Sequence, residues 1–206
     1  MKIGIDIDDT ISNSIEKWIF YADEYERENP SVVKEKNKKF QLLNSHRWLE
    51  EFYKWEEKDK EEFFNKYSNM MLQNVEMKEN ASRIINKLLE EKNEIYIITS
   101  RYKICENSDA EYITKKWLEK NNIQYNKIFF NASNTKLQIC QEEQIDILID
   151  DSYEVCKKAN ENNIKVLLML SSYNNIKDDY IKKVHNWNEV YEEIQKIYKE
   201  KVNYNG

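Results

Sequence analysis

The sequence predicts an α/β fold, in which a parallel β-sheet carries helices on both faces and a small helical cap is inserted after the first strand. Two observations predict the sheet: the apolar runs are short, and they alternate along the chain with segments of helical periodicity. The cap is predicted because residues 13–76 hold no convincing strand and are dense in aromatic side chains. We therefore expect a core of residues 1–12 and 77–206 and a cap of residues 13–76.

The strands are expected to be buried on both faces, because their apolar runs are nearly continuous in Ile, Leu, Val, Phe and Tyr. The predicted strands are residues 2–7, 95–99, 127–130, 145–149 and 165–170. In a parallel sheet, ligands bind beyond the carboxyl ends of the strands. Asp6, Thr99 and Asp150 lie at such ends, so we expect them to share one edge of the sheet.

The helices are predicted from apolar residues at helical spacing. In the core they cover residues 81–92, 110–120, 137–143, 152–162 and 189–201, and in the cap residues 14–28, 45–55 and 58–72. Glycine occurs only at positions 4 and 206, so another residue must reverse the chain. Asn tolerates the left-handed conformation, and we expect Asn121-Asn122 and Asn162-Asn163 to end two helices.

Composition and charge exclude several classes of function. The net charge of −6 gives no general attraction to long nucleic acid. No apolar run has the length that a membrane span needs, and the N-terminus lacks a secretory pattern, so we expect a cytoplasmic protein. Three scattered cysteines are typical of reduced thiols rather than of a disulfide or zinc framework. The absence of a glycine-rich loop excludes P-loop and dinucleotide-fingerprint sites.

The first apolar run ends in a cluster of carboxylates, Asp6, Asp8 and Asp9. Like charges a few ångströms apart repel and raise one another's pKa. Such a cluster persists when a cation sits among the oxygens, and Mg²⁺ is the usual one. Taken alone, an Asp-x-Asp pair after a strand is more often a turn and a helix cap, and Asp9 is a candidate for that role.

Four short motifs resemble those of the haloacid dehalogenase-like (HAD) hydrolases, in the order that this superfamily has them. The motifs are Asp6-x-Asp8-x-Thr10, Thr99, Lys136 and Asp150-Asp151. Each motif alone is weak, whereas four in register across the sheet domain are specific. The resemblance implies a Rossmann-like core, a Mg²⁺ requirement and phosphoryl chemistry.

By this resemblance Asp6 is the nucleophile that forms an aspartyl phosphate, and Asp8 is the general acid and base. A second acid at this position is typical of the phosphatases rather than of the dehalogenases. Asp150, Asp6 and the backbone carbonyl of Asp8 are the expected Mg²⁺ ligands, and Asp151 supports them. The metal's charge allows an anionic carboxylate to approach an anionic phosphate.

Thr99 and Ser100 are the expected hydrogen-bond donors to the phosphoryl oxygens. Lys136 is expected to offset the charge shared by Asp6 and the phosphoryl group. Lys127 is a nearby competitor for this role, and most lysines are surface charges. Arg101 is a candidate contact for the substrate phosphate or base, with a solvated surface arginine as the alternative.

Within the superfamily, the chain most resembles bacterial relatives of the pyrimidine 5′(3′)-deoxyribonucleotidases, the cytosolic type C family. The likeness lies in residues 5–11, 98–101 and 148–152, in the size, and in the aromatic-rich cap. It implies a small phosphorylated metabolite, a nucleoside monophosphate, as substrate, and the animal enzymes suggest a homodimer. The animal enzymes have Gly where Asp9 stands and Arg where Ser152 stands.

The cap aromatics have two interpretations. The first is that they form the hydrophobic core of the cap; the second is that some of them stack on a nucleobase. The candidates for substrate contact are Trp18, Tyr21 and Trp48.

Three functions remain open from the sequence. The first is a Mg²⁺-dependent 5′-nucleotidase. The second is the same catalytic machinery acting on another phosphomonoester, such as a sugar phosphate, or transferring the phosphoryl group to an acceptor other than water. The third is a metal- or ligand-binding module without turnover.

Overall fold

The computed structural model describes residues 1–35, 52–103, 105, 108–171, 174 and 177–204. Its centre is a six-stranded sheet in the order β3-β2-β1-β4-β5-β6, in which every neighbouring pair is parallel. The strands are β1 (Lys2–Ile5), β2 (Glu94–Ile98), β3 (Lys127–Phe129), β4 (Ile147–Asp150), β5 (Lys165–Met169) and β6 (Lys182–Val184). The predicted α/β class is confirmed, and all five predicted strands are present.

Strand β6 was not predicted, and this omission is the main correction to the sheet. It has three residues, two of which are lysines, so it presents no apolar run. It pairs with β5 at the edge of the sheet, and only Val184 of the three is buried. Tertiary pairing, rather than local pattern, makes this segment a strand.

The helices follow the predicted periodicity closely. They are α1 (Ser14–Glu28), α2 (Glu57–Asn74), α3 (Ala81–Glu90), α4 (Ala110–Lys120), α5 (Lys136–Glu142), α6 (Tyr153–Glu161) and α7 (Trp187–Tyr204), with a short 3₁₀ turn at Pro30–Val32. Helices α1 and α4 have the predicted bounds, α3 starts at the predicted residue, and the other helix ends differ from the prediction by one to three residues. The predicted helix at 45–55 lies mostly outside the described residues.

Helices cover both faces of the sheet, because alternate strand residues point to opposite sides. Ile3 and Ile5 of β1 belong to one apolar cluster, which also contains residues of α3, α4 and α7. On the other face, side chains of β2, β4 and β5 pack against α5 and α6. Gly4 points to this second face, where a Cβ atom would lie 3.1 Å from Ile98 and 3.2 Å from Leu148.

Asparagine residues reverse the chain where glycine is missing. Asn122 follows α4 with φ of 52°, and Asn163 follows α6 with φ of 63°, so both adopt the left-handed conformation that was predicted for these pairs. Among the described helices, none combines the length and apolar character that a membrane crossing requires.

The helical insert, by which we mean the described residues between β1 and α3, enters and leaves the sheet domain at one point. Ser12 and Met77 form an antiparallel bridge there. The Asn13 amide donates to the Glu76 carbonyl at 2.9 Å, and the Lys78 amide donates to the Ile11 carbonyl at 2.7 Å. The division into core and cap stays a prediction, and this bridge lies next to its proposed boundary.

The interior of the insert is aromatic. We call its buried rings the aromatic cluster: Tyr21, Tyr25, Tyr53, Trp55, Phe63 and Tyr67. Neighbouring rings in this set lie with centroids 5.0 to 6.5 Å apart, mostly tilted or edge-on. Ala110 and Ile113 of α4 pack on the same cluster, so α4 joins the insert to the sheet domain.

Candidate active site

Three buried charged side chains meet where β1 and β4 end, and we call them the sheet-edge cluster: Asp6, Lys136 and Asp150. Lys136 Nζ donates to Asp6 Oδ1 at 2.8 Å and to Asp150 Oδ2 at 2.7 Å. All three residues are at most 5% exposed. Asp6 directly follows strand β1, strand β4 ends at Asp150, and Lys136 is the first residue of α5. Residues 130 positions apart in the chain are thus held by one ammonium group.

Burial dominates the electrostatics of the sheet-edge cluster. It raises the pKa of Asp6 above the ordinary range, and the charges of Asp150 and Asp8 raise it further although Lys136 opposes them. Burial alone would lower the pKa of Lys136, but the two carboxylates outweigh burial and raise it. With all three groups ionised, two carboxylates and one ammonium leave a net charge of −1 out of water. Such a group is costly unless a further cation or hydrogen bonds stabilise it.

The donor atoms at this edge fit a hard divalent cation. Asp6 and Asp150 both approach a single cationic nitrogen, which shows that two carboxylate oxygens can share one positive centre. Within the described residues, no three His, Cys, Asp or Glu side chains form a metal site by themselves. A metal here would therefore use two carboxylates, a backbone carbonyl and water, which is the all-oxygen, partly hydrated set that Mg²⁺ accepts.

Asp8 lies beside the cluster and is held from two sides. The Arg101 guanidinium donates from Nε to both carboxylate oxygens, at 3.1 and 3.0 Å, and from Nη2 to Oδ1 at 2.7 Å. Ser14 Oγ, at the start of α1, donates to Oδ1 at 2.5 Å. Burial alone would raise the pKa of Asp8, but Arg101 and Ser14 stabilise the carboxylate and lower it. The Asp8 side chain remains 34% exposed, so it can meet a substrate.

The segment after β2 brings Thr99, Ser100 and Arg101 to the same edge. Thr99 is fully buried, and its Oγ1 accepts from the Arg101 amide at 3.2 Å. Ser100 is partly exposed. Arg101 is 5% exposed, so the alternative of a solvated surface arginine is wrong.

The loop after β1 is held by hydrogen bonds to the Ile7 carbonyl and to Trp187. The amides of Thr10, Ile11 and Ser12 all donate to the Ile7 carbonyl, which folds the loop over the end of the strand. The buried Trp187 of α7 donates from Nε1 to the Thr10 carbonyl at 3.1 Å. The loop that carries Asp8 is therefore tied to the sheet domain.

Asp151 lies next to the cluster and contacts the same loop. Its Oδ1 accepts from Thr10 Oγ1 at 3.4 Å, and its carbonyl accepts from Asn174 Nδ2 at 2.6 Å. Asn174 is fully buried and also bonds the Met169 carbonyl at the end of β5. Asp151 thus links the loops that follow β1, β4 and β5.

The sequence matches a family that agrees with this geometry. The model of the family described as 5′ nucleotidase, deoxy (pyrimidine), cytosolic type C protein matches residues 1–200. The chain belongs to this family. A nucleotidase from Clostridium acetobutylicum is 25% identical over 202 residues, which cover 96% of this chain and 95% of that protein. The resemblance stated from the motifs is confirmed.

Solved structures agree on the fold. A haloacid dehalogenase-like family hydrolase from Xanthomonas campestris has a TM-score of 0.65 at 11% identity, covering 95% of this chain and 94% of that one. A haloacid dehalogenase-like family protein from Streptococcus pneumoniae has a TM-score of 0.62 at 15% identity, covering 92% and 95%. The chain therefore has the HAD-like, Rossmann-type core.

Asp9 and Ser152, the two departures from the animal enzymes, each have a local structural role in this chain. Asp9 adopts φ of 56°, and both of its carboxylate oxygens accept from the Ile15 amide, at 3.1 and 3.2 Å. It therefore caps the first turn of α1. Ser152 is the N-cap of α6, where its Oγ accepts from the Val155 amide at 3.4 Å and its own amide donates to Asp150 Oδ1 at 2.8 Å.

Two of the cap residues proposed to contact substrate, Trp18 and Tyr21, lie among aromatic rings of the insert. Tyr21 is 7% exposed and packs 5.1 Å from Tyr67 between ring centroids. Trp18 is partly buried and lies 5.7 Å from both Phe63 and Phe64. Both residues therefore contribute to packing within the insert. Trp48 lies outside the described residues.

Sequence reasoning missed three residues that support the site: Ser14, Thr114 and Trp187. Ser14 opens a predicted helix six residues after Asp8, so its position was a usable signal. Thr114 lies one turn before Trp117 on the buried face of α4 and contacts Arg101. Trp187 comes just before the predicted start of its helix, and nothing local connects it with Thr10.

Proposed function

We propose that this protein is a Mg²⁺-dependent phosphomonoesterase that acts through an aspartyl phosphate, and that its substrates are nucleoside monophosphates. The sheet-edge cluster carries this proposal, because it buries a carboxylate beside a lysine and a second carboxylate at the end of a strand. A structural ion pair has no need of the extra negative charge. A metal-assisted phosphoryl site does need it, since the metal balances the charge.

Asp6 is the proposed nucleophile. Its carboxylate oxygen attacks phosphorus, and the P–O bond to the leaving alcohol breaks. Arg101 and Ser14 favour the ionised form of Asp8 in the free protein, so Asp8 binds the catalytic proton when the anionic phosphate arrives beside it and then gives that proton to the alcohol oxygen. Water then attacks the aspartyl phosphate and gives a proton back to Asp8, and the bond between Asp6 and phosphorus breaks. Inorganic phosphate leaves, Asp6 is again a carboxylate, and Asp8 again carries the proton with which the cycle began.

Each remaining residue has an electrostatic or positioning role in this sequence of steps. Lys136 contacts Asp6 and balances negative charge as the phosphoryl group arrives. A magnesium ion held by Asp6, Asp150 and the carbonyl of Asp8 would supply the further positive charge that two anions need to approach. Thr99 and Ser100 are proposed hydrogen-bond donors to the phosphoryl oxygens, and Asp151 supports the loop of Asp8 through Thr10.

Family membership and the nucleotidase from Clostridium acetobutylicum support the nucleotide as substrate. A sugar phosphate remains a second candidate for a structural reason. The rings of the aromatic cluster are engaged with one another, so these side chains do not supply a surface for stacking on a base. The two substrate classes share the chemistry and differ only in the leaving alcohol.

A substrate panel tests the proposal. Phosphate release should be measured with and without Mg²⁺ on ribo- and deoxynucleoside monophosphates, on sugar phosphates and on 4-nitrophenyl phosphate. We expect Mg²⁺-dependent release, fastest from a nucleoside monophosphate. Faster release from a sugar phosphate would reassign the substrate, and transfer to added glycerol would show a phosphotransferase. If none of these compounds released phosphate, the protein would instead be a metal- or ligand-binding module without turnover.

A further inference from the structure

Arg101 is buried between the loop of Asp8 and helix α4, and its guanidinium contacts both. One edge of the guanidinium forms the hydrogen bonds to the Asp8 carboxylate described above. The remaining nitrogen, Nη1, donates to Thr114 Oγ1 at 3.3 Å. The Trp117 ring covers the group, with its centroid 5.6 Å from Cζ. Thr114 and Trp117 are at most 3% exposed, so the guanidinium is held in one orientation.

The backbone of Arg101 is fixed as well. Its amide donates to Thr99 Oγ1, and its carbonyl accepts from the Asn131 amide at 3.1 Å. Asn131 adopts the left-handed conformation, with φ of 53°, in the loop after β3. The backbone and the guanidinium of Arg101 are therefore both bonded to the sheet domain rather than to the insert.

We propose that Arg101 is a positioning residue that holds the Asp8 carboxylate at the angle needed for proton transfer to the leaving alcohol. This inference rests on the proposed function and goes beyond it, because Arg101 was expected to bind the substrate. The planar fork of arginine fixes both the distance and the plane of a carboxylate. A lysine at this position would keep the charge but would not fix the plane.

Two other roles for Arg101 make different kinetic predictions. An arginine that binds the substrate phosphate directly would contribute equally to every phosphomonoester. An ion pair that only stabilises the fold would affect all activity through the fraction of folded enzyme. A residue that positions the general acid affects the bond-breaking step only when the leaving alcohol needs a proton.

The test compares leaving groups. A nucleoside alcohol must be protonated as the P–O bond breaks, whereas 4-nitrophenolate leaves without a proton. The value of kcat/KM reports the steps up to release of the leaving group. In Arg101→Lys, we expect kcat/KM for a nucleoside monophosphate to fall about 10²-fold, within the usual contribution of general acid catalysis. For 4-nitrophenyl phosphate, kcat/KM should change by less than about threefold on the same argument.

Two further variants make this test independent of folding. Thr114→Val removes the hydroxyl that supports Nη1 at nearly constant volume, and it should give a smaller loss with the same dependence on the leaving group. Arg83→Gln is the matched control. Arg83 is exposed, and its bonds go to Asn80 and Asn188 rather than to Asp8. It should leave both substrates unaffected. Thermal unfolding of each variant gives the folded fraction.

The outcomes separate the inference from the function on which it rests. Equal losses on both substrates in Arg101→Lys and Thr114→Val, with wild-type enzyme active, would overturn the positioning role alone. A rise in KM for both substrates at constant kcat would assign Arg101 to the substrate phosphate instead. A wild-type enzyme inactive on both compounds would overturn the proposed function and the inference together.

Discussion

The sheet-edge cluster and the aromatic cluster are both buried, but they use burial in opposite ways. In the aromatic cluster, burial removes apolar rings from water and each favourable ring pair adds about 0.5–1.5 kcal/mol of stability. In the sheet-edge cluster, burial removes three titratable groups from water, and two carboxyl groups share one ammonium group. The first arrangement stabilises the fold, whereas the second costs stability that only a function explains.

The polar atoms of the two clusters are treated differently as well. In the aromatic cluster, the Tyr53 hydroxyl donates to Asp23 at 2.9 Å, and the Tyr67 hydroxyl donates to Glu28 at 2.7 Å. Both of these hydroxyl groups thus bond an acid outside the ring stack. In the sheet-edge cluster, the polar atoms point toward one another, and none of the three residues is more than 5% exposed. The comparison predicts that substitutions in the sheet-edge cluster mainly change activity. Substitutions in the aromatic cluster should mainly change stability.

The largest expected effect is on activity, in Asp6→Asn. Asparagine keeps the size of the side chain and an acceptor for Lys136, but its amide oxygen is not a useful nucleophile. We expect kcat to fall roughly 10³-fold or more, because removing a nucleophile also removes the covalent route. The melting temperature should remain within a few degrees of wild type, since burial already disfavours the Asp6 charge. Full activity in this variant would show that the nucleophile is elsewhere.

The largest effect on stability is expected in Phe63→Ala. Phe63 is fully buried and contacts the rings of Tyr25, Trp55 and Tyr67. Truncating a buried phenylalanine costs about 3–5 kcal/mol of unfolding free energy. Urea titration measures this loss, and kcat of the folded enzyme on 4-nitrophenyl phosphate should stay close to wild type.

Phe20→Ala is the matched control for Phe63→Ala. Phe20 is on the same insert but is 53% exposed, so its loss should change stability by no more than about 0.5 kcal/mol. A large fall in kcat for Phe63→Ala at full folding would break the comparison, because the aromatic cluster would then contribute directly to the active site.

Lys136→Met should affect both properties, since Lys136 joins the two carboxylates. We expect kcat to fall about 10²–10³-fold, as for other groups that stabilise charge in a transition state. Stability should also fall, because two buried carboxylates lose their cation. Lys127→Met is the control: Lys127 is 51% exposed and pairs with Glu143, so neither property should change much. The reverse result would assign the phosphate-binding role to Lys127.

Much of the site could be predicted because its residues stand at strand ends. Apolar runs located β1 and β4, and the rule that ligands bind beyond the carboxyl ends of parallel strands then placed Asp6 and Asp150 together. The structure brings both to Lys136. The order of the motifs along the chain identified the superfamily, and the likeness in residues 5–11, 98–101 and 148–152 identified the family that matches residues 1–200.

The contacts of Arg101 could not be predicted, because they depend on how α4 packs. Its partners are 93 residues upstream at Asp8 and 13 residues downstream at Thr114. Sequence separation gives no distance between such groups, and an arginine after a strand is solvated in most proteins. Strand β6 could not be predicted for a similar reason, because its pairing with β5, and not its own sequence, makes it a strand.

The smallest effect concerns the packing beneath the sheet-edge cluster, which Gly4→Ala tests. The added methyl group would meet Ile98, Ile145 and Leu148 at 3.1 to 3.2 Å, so these side chains must move by a few tenths of an ångström. Overpacking costs about 1–3 kcal/mol, and the lower chain entropy of alanine offsets about 0.5–1 kcal/mol of it. We therefore expect a net loss of about 1 kcal/mol in urea titration. Unchanged stability would show that the three side chains repack without cost.

The effect of Gly4→Ala on kcat shows how strictly Asp6 is positioned, because the two residues share strand β1 and its extension. A displacement of 1 Å at a reacting group can cost 10²-fold, so a few tenths of an ångström should cost less than about tenfold. A fall in kcat together with the loss of stability would mean that close packing of β1 sets the position of the nucleophile. A loss of stability at constant kcat would mean that Lys136, itself bonded to Asp150, holds Asp6 in place even when strand β1 shifts.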